Sequence, residues 1–367
     1  MDHDVRRRAV AARLDELGVD AMLITRLLHT RYLTGFTGSN GQVLIRRDGA
    51  LFLTDGRYTE QSRREVPDLE RHTCTNPLRE ELPGMLGGVG RLGFEAEDVT
   101  VATRDRFAEA LGDDVELVPT TDVVEPLRAV KDDDERAAIR QAQAITDAAF
   151  TVILDRFAVG VTEQQVARQL ETAMKDEGAD GLAFDPIVAF GENAAEPHHE
   201  PTHRPLAEGD IIKLDFGALA AGYHADMTRT IAFGSPPAEL RAIHDVVRES
   251  QQAGIDAVKA GVTGEAVDAV SREVIERAGY GDAFVHSLGH GVGLEIHEAP
   301  SLGRKQDDPL PAGAVVTVEP GIYLAGVGGV RIEDMVEVTD DGCVVVGTSA
   351  RELIELCTKG SCERFHE

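Results

Sequence analysis

Acidic residues inside apolar, strand-like segments constrain this chain more than any other feature. Asp215 lies within L-D-F and Glu319 ends V-V-T-V-E, and each is followed by a second acid, Asp226 and Glu333 respectively. A carboxylate within an apolar strand is costly unless a counter-charge or a bound cation neutralises it. Each acid alone is typical of a solvated strand residue, but the four together favour a shared site.

One predicted hairpin pairs the first two acids. Its strands are Asp210–Phe216 and Tyr223–Phe233, and residues 219–222 form its turn. If that turn closes symmetrically, Asp215 lies opposite Asp226, and directly opposed residues have Cβ atoms about 4.5–5.5 Å apart. Two ionised carboxylates at this distance repel each other, and a bound cation relieves the repulsion.

A second predicted hairpin repeats the arrangement. Its strands are Ala314–Tyr323 and Val330–Val338, and the glycine-rich segment 326–329 joins them. Glu319 and Glu333 are equally far in sequence from the first glycine of that segment, so they also face each other. Four converging carboxylates have the capacity to hold two divalent cations.

The segment G-H-G at 289–291 contributes a candidate nitrogen ligand, His290. We expect its glycines to let the backbone approach a ligand closely. One imidazole among carboxylates raises the affinity of a site for Mn, Fe, Co or Zn relative to Ca. His286 is interpreted as a residue that supports the ligands. Isolated histidines, including His72 and His244, are interpreted as structural or exposed.

Length and pattern breaks predict two domains of α/β (α+β) class. At 367 residues the chain exceeds one average domain. The pattern breaks near Glu125-Pro126-Leu127, which places an α/β domain at 1–128, a catalytic-type domain at 129–351 and a tail at 352–367. In the first domain we predict a helix at 5–17, a strand at 21–25 and a hairpin of strands 42–46 and 50–54. In the second we predict helices at 131–157, 162–176, 236–260 and 264–278. Two helices therefore precede each hairpin, which suggests a pseudo-two-fold repeat.

The charge balance excludes some classes of partner. The formal net charge is −28, from 65 acidic and 37 basic residues, so nucleic acid is not an expected ligand. Such an acidic, lysine-poor chain favours a halophilic source, and a moderately acidic mesophilic enzyme is the alternative. The sequence has no apolar run long enough to span a membrane and no apolar signal segment, so a cytoplasmic protein without membrane contact is expected.

Four cysteines are too few for a disulfide framework in a chain of this length. Cys357 and Cys362 lie near His366, but the tail offers no nearby fourth ligand and lacks the usual short cysteine spacing of zinc sites. Reduced thiols are therefore expected throughout.

The candidate ligands and two N-terminal segments resemble those of the pita-bread metallopeptidases, the family of prolidase, aminopeptidase P and methionine aminopeptidase. The N-terminal segments, Y-L-T-G-F-T-G-S-N and T-D-G-R-Y, resemble the creatinase-type domain of prolidases and aminopeptidases P. The resemblance implies a creatinase-type first domain, followed by a pita-bread domain with a curved, mainly antiparallel sheet. It also implies a homodimer, in which the loop 37–41 reaches the partner's site.

The resemblance further implies a role for each site residue. Five residues would bind two divalent ions (Mn, Co or Zn, with Fe as a further option): Asp215, Asp226, His290, Glu319 and Glu333. Asp226 and Glu333 would bridge the ions, and Glu319 would also transfer a proton. His198 and His297 would hold the scissile carbonyl. Arg331 would orient His297 or a ligand carboxylate, and His286 and Tyr323 would lie beside the substrate.

The activity implied is hydrolysis of Xaa-Pro bonds in short proline-containing peptides, by a dipeptidase or an aminopeptidase P. Such a bond is a tertiary amide with a fixed ring and no N–H, so a dedicated rigid pocket is chemically reasonable. Two alternatives remain open at this point. One is a creatinase-like amidinohydrolase, whose chemistry does not use the metal centre. The other is a non-catalytic binding protein on the same fold.

Overall fold

The computed structural model describes residues 1–357, which fold as two compact units, Met1–Arg128 and a second that begins at Ala129. The first unit is a mixed sheet with helices around it. Its helices are α1 (His3–Ala12), α2 (Leu27–Thr34), α3 (Thr59–Glu65), α4 (Leu78–Met85), α5 (Val101–Leu111) and α6 (Glu125–Ala129). Its strands are β1 (Ala21–Ile24), β2 (Gly41–Arg46), β3 (Gly49–Asp55), β4 (Glu70–Cys74), β5 (Arg91–Glu95) and β6 (Glu116–Thr120).

The six strands of the first unit form one sheet in the order β4-β3-β2-β1-β5-β6. The pairs β1–β2 and β2–β3 are antiparallel, and the remaining pairs are parallel. The predicted hairpin is confirmed, with Arg46 paired to Gly49 across its turn. The predicted first helix was too long: α1 ends at Ala12, and turns over residues 13–18 bring Leu14 into the core at 0% exposure.

Up to residue 357, the second unit combines four long helices with several short sheets. Its helices are α7 (Asp133–Leu154), α8 (Glu163–Asp176), α9 (Ala238–Ala257) and α10 (Gly264–Arg277). The first seven of its strands are β7 (Gly181–Leu182), β8 (Ile187–Phe190), β9 (Ile211–Phe216), β10 (Ala218–Ala220), β11 (Tyr223–His224), β12 (Met227–Phe233) and β13 (Gly289–Gly291). The others are β14 (Glu298–Leu302), β15 (Val315–Val318), β16 (Gly321–Leu324), β17 (Gly328–Arg331), β18 (Asp334–Val338), β19 (Cys343–Val345) and β20 (Glu355–Leu356).

Two helices of the second unit begin at capping boxes. Asp132 with Glu135 and Thr162 with Gln165 each form a capping box, which satisfies free backbone N–H groups at the start of α7 and α8. The buried faces of α9 and α10 pack on the strands through an aliphatic core, as expected for a chain with 5% aromatic residues. These helices hold the sheets in place from one side.

Two sheets carry the candidate site residues. One has the order β20-β12-β9-β8 and the other β14-β13-β15-β18-β19. Their pairs are antiparallel, apart from the parallel pair β12–β20. The expected mixed α/β class with mainly antiparallel pairing in the second domain is therefore confirmed.

The register predicted for the first hairpin was wrong by two residues. Asp215 pairs with Thr228, because the turn is a tight two-residue loop, Ala221-Gly222, rather than the four-residue loop expected. Both loop residues have positive φ, 51° and 83°, as a type I′ turn requires. A shift of two residues preserves the face of each side chain, so Asp215 and Asp226 still lie on the same face.

The register predicted for the second hairpin is confirmed. It is divided between two sheets, with β15 paired to β18 and β16 paired to β17. Both pairs share one register, so Glu319 and Glu333, in the gap between them, occupy opposite positions. Glu319 and Glu333 therefore lie outside the paired strands, and both side chains line the cavity between the two hairpins.

The cysteines match the expectation in part. Cys74 and Cys343 are free thiols, whereas Cys357 is disulfide-bonded, which corrects the prediction of reduced thiols at that position. Cys362 and His366 lie outside the described residues. Among the described residues, none of the helices is long and apolar enough to cross a membrane.

Candidate metal centre

A cavity of about 500 Å³ opens between the two hairpins of the second unit. All five predicted ligands line it, together with the two histidines predicted to hold the substrate. Apolar side chains complete part of the wall: Phe184, Ile187 and Ile296. The residues that the sequence analysis grouped therefore line one cavity, although these residues are spread over more than a hundred positions of the chain.

Three of the predicted ligands form a close group in this cavity. Single ligand atoms of Asp226, His290 and Glu333 all lie within 4.8 Å of one another. His290 Nε2 is 3.5 Å from Asp226 Oδ2 and 3.4 Å from Glu319 Oε1. This spacing suits a metal ion, since carboxylate and imidazole ligands bind one at about 2.0–2.2 Å each.

Two buried carboxylate oxygens lack a hydrogen-bond partner among the described residues, Asp215 Oδ1 and Glu333 Oε1. An unsatisfied buried oxygen is costly, and a bound cation is one way to satisfy it. Burial and the charge of Glu333 raise the pKa of Asp226 well above its usual value. Burial and the charge of Glu319 do the same for the pKa of Glu333. The donor set and its charge therefore fit divalent metal ions.

Glu319 is held beside His290 by Thr317. The Thr317 hydroxyl donates to Glu319 Oε1 over 3.2 Å and accepts the backbone N–H of His290 over 3.0 Å. Burial is the main cause that raises the pKa of Glu319 to about 8. A carboxyl group with a pKa near neutrality is suited to carry a proton between two reacting atoms.

The glycines around His290 have a different role from the one expected. A Cβ at Gly289 would lie 2.0 Å from the carbonyl oxygen of Thr317, and one at Gly291 would lie 2.5 Å from that of Ala299. Glycine is therefore required because the backbone of β13 approaches its two neighbouring strands. The close approach fixes the position from which the His290 side chain projects into the cavity.

Arg331 is the buried counter-charge of the centre. Its guanidinium donates to Asp215 Oδ2, to Thr228 Oγ1 over 3.0 Å and to the Tyr323 hydroxyl over 2.8 Å. Of the two partners expected for Arg331, the structure shows a carboxylate, that of the predicted ligand Asp215. Although burial opposes its charge, Tyr323 and the surrounding carboxylates raise the pKa of Arg331 well above its usual value.

His286 and Tyr323 form a hydrogen-bonded support behind this arginine. His286 Nε2 lies 2.9 Å from the Tyr323 hydroxyl, which also accepts from Arg331. His286 reaches the cavity wall, whereas Tyr323 is not among the residues that line the cavity. Burial raises the pKa of Tyr323 to about 12, and burial with the charge of Arg331 lowers the pKa of His286 to about 4. Both groups are therefore neutral near pH 7.

The two histidines predicted to face the substrate, His198 and His297, both line the cavity. The His297 ring is 4.3 Å from the ring of His290 at an angle of 70°, and burial lowers its pKa. His198 follows Pro197, whose carbonyl oxygen accepts from Arg331 over 3.2 Å. The loop that carries His198 is thus attached to the same arginine that holds Asp215.

Two buried ionisable side chains that hold this loop were not predicted. Lys213, with 0% exposure, donates from Nζ to the carbonyl oxygens of Ala194 (3.2 Å), Glu196 and Pro197 (3.3 Å). Burial and the charge of Arg331 lower the pKa of Lys213 to about 6. The sequence does contain a signal for this role, since Lys213 lies two residues before Asp215 in an otherwise apolar strand.

Glu163, also at 0% exposure, is the second unpredicted side chain. Its oxygens accept from the backbone N–H of Phe190 (2.8 Å) and Thr202 (2.8 Å), and lie 2.9 Å from His199 Nε2. Burial opposes ionisation, but hydrogen bonds from Thr202 and His199 hold the pKa of Glu163 below its usual value. In the sequence this residue looks like an ordinary acid in the first turn of a helix.

Comparison with known families matches both units. Residues 137–340 match the family described as metallopeptidase family M24, and residues 6–130 match the creatinase/prolidase N-terminal domain. The first match covers most of the second unit, including all five predicted ligands.

Individual proteins match over nearly their whole length. The Xaa-Pro dipeptidase of Pyrococcus furiosus is 35% identical over 346 residues, which cover 93% of this chain and 97% of that protein. The structure of an Xaa-Pro dipeptidase from Bacillus anthracis superposes with a TM-score of 0.95 at 41% identity, and covers 97% of this chain and 100% of that one. The structure of an X-Pro aminopeptidase from Thermotoga maritima MSB8 gives a TM-score of 0.88 at 39% identity, with coverage of 94% and 99%.

Proposed function

The chain belongs to metallopeptidase family M24, and we propose that it is a metal-dependent peptidase that hydrolyses the Xaa-Pro bond of short peptides. The observation that carries this proposal is the convergence of five oxygen and nitrogen donors, two with orphaned buried oxygens, on one cavity of about 500 Å³. The proposed ligands of two divalent ions (Mn, Co or Zn, with Fe as a further option) are Asp215, Asp226, His290, Glu319 and Glu333.

Divalent ions in such a site supply a hydroxide nucleophile near neutral pH and polarise the scissile carbonyl. The chain's own residues do the remaining work. Glu319, which accepts a hydrogen bond from Thr317 and lines the cavity, is placed to pass a proton to the nitrogen of the departing proline. Arg331 keeps Asp215 oriented through its guanidinium, and Thr228 keeps Glu333 oriented through a 2.7 Å hydrogen bond.

His198 and His297, which both line the cavity, hold the scissile carbonyl. Burial lowers the pKa of His297, so its ring is neutral near pH 7 and still has one N–H to donate. A donor placed where negative charge develops stabilises a tetrahedral oxyanion. The apolar residues Phe184, Ile187 and Ile296 supply a wall suited to a proline ring.

Matched peptides test this function directly. We expect metal-dependent cleavage of Xaa-Pro dipeptides, slower or no cleavage of Xaa-Pro-Yaa if the protein is a dipeptidase, and no cleavage of Xaa-Ala controls. The two structural relatives carry the names of both activities, so substrate length is the measurement that separates them. Absence of cleavage of every Xaa-Pro peptide with Mn, Co or Zn, in low and high salt, would contradict the proposal.

The alternatives do not fit the observed site. A creatinase-like amidinohydrolase does not use a metal centre, and a non-catalytic binding protein has no need for one. Both leave the orphaned oxygens of Asp215 and Glu333 unexplained. The intact donor set therefore favours the peptidase.

Glu163 provides a test of how the His198 loop is positioned. Each oxygen of Glu163 accepts one backbone N–H, from Phe190 or from Thr202. In Glu163→Gln an amide NH₂ replaces one of these oxygens, so the loop from Phe190 to Thr202 loses part of its anchor. We expect kcat/KM to fall about 10–100-fold, because small misplacements of positioning groups have effects of this size. Metal content should not change, since Glu163 contacts none of the ligands.

Glu171→Gln on the same helix is the matched control. Glu171 pairs with Lys175 on the surface and should leave activity within about twofold of the wild type. Equal activity of the two variants, or loss of metal from Glu163→Gln, would contradict the positioning role.

Three further proposals concern the protein as a whole. Light scattering tests the proposed homodimer. The dependence of the free energy of unfolding on KCl tests the proposed halophilic character, which rests on the net charge of −28. Cell fractionation of the source organism tests the proposed cytoplasmic location.

A further inference from the structure

A second group of potential metal ligands lies in the first unit. His72 and Cys74 are two residues apart on β4, so their side chains leave the same face of the strand. Glu81 lies in the early part of α4, the helix that follows β4. One ligand atom of each residue lies within 4.8 Å of the other two. The group is separate from the five ligands in the second unit and has no part in the function proposed above.

The carboxylate of this group is already oriented by the backbone. Glu81 Oε1 accepts the N–H groups of Thr75 (2.7 Å) and Asn76 (2.6 Å), while Oε2 lies 2.6 Å from His72 Nε2. These contacts hold the pKa of Glu81 at about 2, with the His72 hydrogen bond as the largest cause. A carboxylate held in this way is prepared to bind a cation without reorganisation, as supported ligands are in known metal sites.

The thiol of this group lies in a negative environment. Cys74 is partly buried, and its neighbour across the parallel pair of β3 and β4 is Asp55. Burial, and then the charges of Glu81 and Asp55, raise the pKa of Cys74. The carboxylates that oppose a free thiolate attract a divalent cation, and a cation in turn favours the thiolate.

We propose that His72, Cys74 and Glu81 bind one divalent ion of the zinc class, with the fourth tetrahedral position left to water. Nitrogen, sulfur and oxygen ligands in this combination suit zinc, whereas hard ions such as Mg²⁺ prefer oxygen alone. Binding releases the thiol proton of Cys74 and replaces the proton shared by His72 and Glu81. The open position and partial exposure leave the ion accessible from solvent.

Cobalt substitution tests this site in the full-length protein without reference to activity. The centre in the second unit has only oxygen and nitrogen ligands, so a thiolate-to-cobalt charge-transfer band in the near ultraviolet reports on a cysteine ligand alone. We expect the band in the wild type, its loss in Cys74→Ser, and about one cobalt ion fewer per chain in that variant. Addition of Zn²⁺ should abolish the band by displacement.

Two variants make the result specific. Cys343→Ser removes the free thiol of the second unit, so it should retain the band. His72→Gln removes the nitrogen ligand, so it should weaken or abolish the band even if Cys74→Ser fails to fold. A wild type that fills its other centre with cobalt yet shows no band would overturn the proposal, as would a band that persists unchanged in Cys74→Ser or His72→Gln.

Discussion

Replacement of Glu333 with glutamine is expected to lower kcat/KM by at least about 1,000-fold, equivalent to about 4 kcal/mol of transition-state stabilisation. Glu333 has 1% exposure, accepts a hydrogen bond from Thr228 on one oxygen and has no protein partner among the described residues for the other. An amide binds a divalent cation much more weakly than a carboxylate, so metal content measured by mass spectrometry should also fall.

The same variant should have the opposite effect on stability without metal. In the metal-free protein, four carboxylates share one buried site with Arg331 as their nearby guanidinium. Burial and the neighbouring carboxylates raise the pKa of Glu333, so this carboxyl destabilises the metal-free fold at neutral pH. We therefore expect Tm of metal-free Glu333→Gln to rise by about 2–4 °C for each kcal/mol gained. Added metal should raise Tm of the wild type more than Tm of the variant.

Glu337→Gln is the matched control for this prediction. Glu337 lies on the same hairpin, but its carboxylate pairs with Arg136 at 3.1 Å, away from the cavity. Activity, metal content and the metal-dependent shift of Tm should remain close to wild type. A Glu333→Gln protein with wild-type activity, or one whose metal-free Tm falls, would show that this carboxylate is not a metal ligand.

The two hairpins show what the sequence can predict about register. For the second hairpin, the register was correct because one uninterrupted alignment runs through β15–β18 and β16–β17. For the first hairpin, the turn was misjudged. Ala221-Gly222 adopts positive φ at both residues, which Asn-Gly or Asp-Gly would have signalled and alanine does not. A hydrogen bond from the Ala221 N–H to Asp180 Oδ2 supports this conformation.

The two-residue error in the register of the first hairpin did not change the predicted site, because side chains alternate between the two faces of a strand. A two-residue shift leaves every side chain on its original face, so Asp215 and Asp226 point to the same cavity in either register. A one-residue error would have sent Asp226 to the opposite face. The prediction that Asp215 and Asp226 share a site therefore needs the correct face of each strand, but not the correct cross-strand partner.

The groups that support the site were harder to predict, since their roles depend on contacts between distant segments. Thr317 looks like an ordinary strand residue, yet it joins the backbone of His290 to the carboxylate of Glu319. Lys213 and Glu163 are ionisable side chains that hydrogen-bond to backbone groups of one loop, and such backbone partners leave no trace in a sequence pattern. The hydrogen-bond partners of these three residues are visible only in the folded structure.

Arg331→Met should both inactivate and destabilise the protein. The guanidinium has 3% exposure and hydrogen-bonds to Asp215, Tyr323 and the Thr228 hydroxyl. Removal of one partner from a buried ion pair typically costs about 3–5 kcal/mol, because the remaining charge stays buried without compensation. We expect the free energy of unfolding of the metal-free protein to fall by about this amount, as measured by urea denaturation.

Bound metal should reduce this loss of stability, because cations replace the positive charge beside Asp215. Arg331→Met with saturating metal is therefore expected to recover part of the lost free energy of unfolding. Activity should not recover, because the carbonyl of Pro197, next to His198, has lost one of its two side-chain donors and keeps the one from Lys213. An equal loss with and without metal would indicate a purely structural arginine.

Arg331→Lys separates charge from geometry in the same position. A lysine keeps the positive charge but, with a single ammonium group, does not reproduce the planar set of donors that reaches Asp215, Tyr323 and Thr228 together. We expect it to restore most of the stability lost in Arg331→Met while kcat/KM remains at least about tenfold below wild type. Full recovery of kcat/KM in Arg331→Lys would mean that the centre needs only a charge there, and that the hydrogen bonds of the guanidinium do not position the ligands.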